Sequence, residues 1–142
     1  MPDPPYGLVA YGGGAGFIRT LPYLALKELR LATIQYVGDI DLPGIAIAVS
    51  SSKQAVFEGL PPITAAPGFH AAMLAAAKTL GCPGGWPAEA SIPLLKDEEL
   101  VKFYPDAIRL EILALLRNRC RIPEEVIGLY EMAAILEAIQ TL

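Results

Sequence analysis

The feature that most constrains the fold is Thr33-Ile34-Gln35-Tyr36-Val37, a β-branched and aromatic run that passes straight into Gly38-Asp39-Ile40-Asp41 and then Pro43. Such a run reads as a strand, and a proline just beyond it suits the first turn of a helix, so the segment is a βα unit. Similar units flank it. Leu8-Val9-Ala10-Tyr11 followed by Gly12-Gly13-Gly14-Ala15-Gly16 reads as a buried strand ending in a glycine loop. A helix is expected from Thr20-Leu21-Pro22, with Pro22 in its first turn and Leu21, Leu24, Ala25 and Leu29 as its apolar stripe, to about Arg30. The helix beginning at Pro43 carries Ile45, Ile47, Ala48 and Val49 and stops at Gly59; Ile63-Thr64-Ala65-Ala66 reads as a third strand, and 69–80 as a further helix ended by Gly81. Repeated βα units predict an α/β fold with a parallel sheet, flanking helices and right-handed crossovers.

Beyond residue 81 the pattern changes. The stretch CPGGWPAEASIP is a Pro/Gly-rich connection in which Trp86 is expected to anchor to the core, and the remainder reads as helix only, over 96–103, 106 to about 119, and 124–139. The predicted organisation is therefore an α/β core over 1–81, a connection over 82–95 and a small all-helical segment over 96–142.

Composition narrows the function classes. A chain of 142 residues is one domain or most of one, which excludes a two-domain enzyme. Its 54% hydrophobic and 18% charged residues exclude a disordered chain. A net charge of -4 argues against a protein that grips nucleic acid with its whole surface. No apolar run approaches the ~18 residues of a membrane span, and MPDPPYG lacks the regions of a signal peptide, so a cytoplasmic protein is expected. Cys82 and Cys120, with one histidine and no CxxC pair, suggest reduced buried thiols rather than zinc or a disulfide.

Few residues could carry chemistry. The glycine cluster lacks the third glycine of the dinucleotide fingerprint, which would fall at Phe17, and lacks the Lys-Ser/Thr of a P-loop, so it reads as a sharp turn. Asp39 and Asp41, at i and i+2 of an extended strand end, point to one side and can share a hard cation such as Mg²⁺, at the strand end where open α/β sheets bind ligands. The alternative is that Asp41 caps the following helix and Asp39 bonds within the loop. Arg117, Arg119 and Arg121 form the one basic run, suited either to phosphate contact or to the end of a helix dipole. His70 has no Cys or acidic neighbour in sequence and is expected to be hydrogen-bonded or solvent-facing. Glu131, Met132, Leu136 and Ile139 give the last helix ordinary amphipathic patterning.

The string Tyr36-Val37-Gly38-Asp39-Ile40-Asp41-Leu42-Pro43-Gly44-Ile45-Ala46-Ile47-Ala48 resembles the Toprim-type C-terminal domain of JetD-like proteins of the Wadjet anti-plasmid systems, a class that includes the topoisomerase VI A subunit. Gly12 to Gly16, Leu21-Pro22-Tyr23-Leu24 and Arg121-Ile122-Pro123-Glu124-Glu125-Val126 resemble the same group in order and spacing. The resemblance implies a Toprim-like parallel sheet that binds Mg²⁺ through a first-strand glutamate and an Asp-x-Asp pair for cutting DNA. Asp39 and Asp41 match that pair as metal-binding and catalytic residues, Asp39 as principal ligand and Asp41 directly or through water. No glutamate precedes Leu8, so the chain is expected to be a C-terminal piece of a longer protein, inactive by itself. Its implied partners are DNA, the N-terminal region of the same protein, condensin-like subunits and a second copy of the chain. Two other readings stay open: a non-catalytic Toprim-like module that binds partner subunits, and a flavodoxin-like domain with Asp39 as phospho-acceptor.

Overall fold

A computed structural model describes residues 14–26, 30–66, 68–88, 99 and 102–140. The chain is mixed α/β. A 3₁₀ turn at Gly14–Gly16 leads into α1 (Phe17–Leu26), followed by β1 (Ile34–Tyr36), α2 (Leu42–Phe57), β2 (Ile63–Ala65), α3 (Phe69–Thr79), β3 (Trp86–Pro87), α4 (Asp106–Arg117), β4 (Cys120–Arg121), a 3₁₀ turn at Glu124–Val126, and α5 (Leu129–Gln140).

β1 and β2 pair in parallel, with Ile34 opposite Ile63 and Tyr36 opposite Ala65, and α2 is the crossover between them. Parallel neighbours need a connection of a dozen residues or more, which this 16-residue helix supplies. The amide of Ala66 extends the ladder by donating to the Tyr36 carbonyl at 2.9 Å. α1 begins ahead of the expected start, which puts Pro22 inside the helix rather than in its first turn. The expected strand at 8–11, and hence its pairing with 33–37, lies outside the described residues.

The C-terminal third is not all-helical. Trp86 and Pro87, within the expected connection, pair antiparallel with Arg121 and Cys120. Gly85 makes this possible: its φ is +75°, and a Cβ there would stand 2.6 Å from the Arg121 carbonyl oxygen. α4 stops at Arg117, so Arg117 and Arg121 do not share a helix, and the expected helix over 124–139 opens instead as a 3₁₀ turn with α5 starting at Leu129. Arg119 takes a left-handed φ of 54° in the turn between α4 and β4. Ile40 and Ile122 exchange both backbone hydrogen bonds, at 2.9 and 3.0 Å, joining the loop after β1 to the chain after β4.

One core runs through both halves. Ile40, Ile45, Ala48, Phe69, Met73, Leu74 and Ala77 pack with Phe103, Tyr104, Ile112, Leu115, Leu116 and Ile122, so residues between 103 and 122 share the interior of the α/β part. Ile40 and Ile122 are fully buried, each contributing about 1.5–3 kcal/mol of transfer free energy. Trp86 packs against this core, as expected. Leu21, Ala55 and Ile63 form a smaller cluster where α1, α2 and β2 meet. Cys82 and Cys120 are free and half-buried rather than buried. No helix among the described residues is long and apolar enough to cross a membrane.

Candidate metal centre

Past β1 the chain must leave the sheet, and the two acids of Gly38-Asp39-Ile40-Asp41 meet different fates. Asp41 caps α2: in extended backbone, its Oδ1 accepts the Gly44 N–H at 2.7 Å while its carbonyl accepts the first helical bond, from Ile45 N–H at 3.1 Å. A side-chain cap of this kind satisfies an otherwise orphaned helix donor. Of the two readings of Asp41, capping is what the geometry provides.

Asp39 turns toward the C-terminal segment. Its Oδ1 accepts the Glu124 N–H at 2.8 Å and its Oδ2 accepts Arg121 Nη2 at 3.1 Å. The Ile40–Ile122 bridge brings them together, because it sets residue 39 beside residues 121 to 124. The result is a group of three carboxylates, Asp39, Glu124 and Glu125, whose oxygens lie within 4.8 Å of one another. Asp41 is not in this group. The sequence pair is thus split, and Glu124 and Glu125 replace Asp41 beside Asp39; the only sequence signal for them was their place in the Arg121 to Val126 string.

The crowding shows in protonation. The Glu124 carboxyl is pushed up to about 7, first by a hydrogen bond with the Asp39 side chain, then by partial burial and by the charges of Asp39 and Glu125. Two carboxyls in contact hold a proton that either would release alone. Arg121 offsets part of the charge, and being half-exposed its pair with Asp39 contributes about 0–1 kcal/mol.

Behind the acids lies an aromatic bed. Tyr36 stacks on His70 with ring centroids 6.3 Å apart and meets Phe103 edge-on at 5.8 Å, while His70 meets Tyr104 edge-on at 5.1 Å. His70 is neither solvent-facing nor well hydrogen-bonded. It is 1% exposed, and both ring nitrogens lack a hydrogen-bond partner of good geometry. Burial lowers it to about 4, opposed in part by the Gly38 backbone, so the ring is neutral near pH 7. Tyr104, equally buried, is raised by burial and by the charges of Tyr36 and Asp41. Tyr36 is pushed up to about 12 by burial, then by Glu124, Asp39 and Asp41, and stays protonated.

The donor set fits a hard divalent cation. It consists of carboxylate oxygens alone, the ligand type such ions take. An ionised carboxylate has about four lone-pair positions, so the two bonds that Asp39 accepts leave capacity for a further contact. A divalent ion would also offset the repulsion that holds a proton on Glu124. No protein-family model matches the chain, and no curated protein or solved structure is significantly similar to it.

Proposed function

We propose that this chain is a Toprim-like, Mg²⁺-binding domain of a DNA-cleaving protein of the JetD type. The observation that carries the reading is the convergence of Asp39, Glu124 and Glu125 beyond the carboxyl end of β1. In this reading Asp39 is the principal ligand, Glu124 and Glu125 complete the set, and Asp41 holds the N-terminus of α2 and adds negative charge nearby. Mg²⁺ in such a site acts as Lewis acid and template for a phosphodiester. The chain's own residues hold the acids in place, through the Arg121 ion pair and the Glu124 amide, and carry an exchangeable proton at Glu124. In this reading its partners would be DNA and condensin-like subunits.

A second reading is favoured by one observation: both oxygens of Asp39 already hold the C-terminal segment. The same residues would then form a clasp in a non-catalytic, partner-binding module. Titration with Mn²⁺, followed by electron paramagnetic resonance, separates the two. The metal reading expects saturable binding lost in Asp39→Asn and in the double variant Glu124→Gln/Glu125→Gln. Stoichiometric Mn²⁺ binding absent from the unaltered chain would leave the clasp.

A further inference from the structure

We draw no further inference here: the strongest candidate, the apolar groove where α3 meets the Glu124–Val126 turn and the start of α5, lined by Ala72, Ala76, Leu80, Val126 and Glu131, has nothing among the described residues to show what covers it.

Discussion

The two small sheets are built on opposite principles. In the parallel pair, β1 and β2 are joined by the helix that lies between them in sequence, so three consecutive elements close the unit. In the antiparallel pair, β3 and β4 are two residues each and meet across the whole of α4, with the Ile40–Ile122 bridge tying the second region to the first. Local patterning suffices for the first sheet. The second exists because distant segments pack on one core, and the bridge beside it gathers the acidic centre.

If the bridge makes the two regions one cooperative unit, Ile122→Ala and Ile63→Ala should each destabilise by about 2–5 kcal/mol, since both residues are buried and leave cavities. Both should give a single calorimetric transition. Two transitions in Ile122→Ala, with the β1–β2 region melting unchanged, would break the comparison by showing that the sheets fold separately.

The glycines sharpen it. Gly59 and Gly85 share a φ near +75 to +79°, but only Gly85 faces backbone, the Arg121 carbonyl at 2.6 Å from an added Cβ. Gly59→Ala should cost the left-handed penalty alone, ~1–2 kcal/mol, and Gly85→Ala roughly 2–5 kcal/mol because the strand opposite must also move. Equal losses in urea titrations would mean that β3 is not held where the structure places it.

The pH dependence sets the two regions against each other. His70, about 4 folded against 6.5 unfolded, gives stability that is complete above 6.5 and is lost as pH falls toward 4, because the unfolded chain binds the extra proton. Its slope is at most ~1.4 kcal/mol per pH unit. Glu124, about 7 folded against 4.5 unfolded, has the opposite sign: its contribution is complete below 4.5 and is lost as pH rises toward 7. Between 4.5 and 6.5 the two slopes oppose. Melting temperature against pH should rise more steeply in Glu124→Gln than in the unaltered chain, and should fall with rising pH in His70→Phe; parallel curves for all three would contradict both assignments.

The smallest effects separate the two acids. Asp41→Ala removes a helix cap and should cost about 1 kcal/mol, whereas Asp39→Ala removes a half-exposed ion pair and one backbone contact and should cost no more than ~1 kcal/mol. Hydrogen exchange locates the difference. Asp41→Ala should speed exchange at the start of α2, and Asp39→Ala at Glu124.

The legible elements were those whose signals are contiguous. The β-branched run at 33–37 became Ile34–Tyr36, Pro43 fell in the first turn of α2, and Gly81 follows the end of α3. Pro22 misled because a proline marks a helix start only by preference, and here α1 carries it internally. Trp86-Pro87 and Cys120-Arg121 are too short to show any period, so their pairing had no signature to find. The burial of His70 had no local signal because it is a property of the three aromatic neighbours around it, Tyr36, Phe69 and Tyr104, which lie in other parts of the chain or on its own helix.

The centre divides along the same line. Sequence by itself determined the βα unit around Gly38-Asp39-Ile40-Asp41 and the acids at a strand end, because each depends on residues a few positions apart, and it left capping as one of two readings of Asp41. Only the tertiary structure decided that Asp39 would face Arg121, Glu124 and Glu125 while Asp41 would not. The physical reason is the burial of Ile40 and Ile122: packing both against one core forces their backbones into register, and the residue ahead of Ile40 is thereby set against the chain on either side of Ile122.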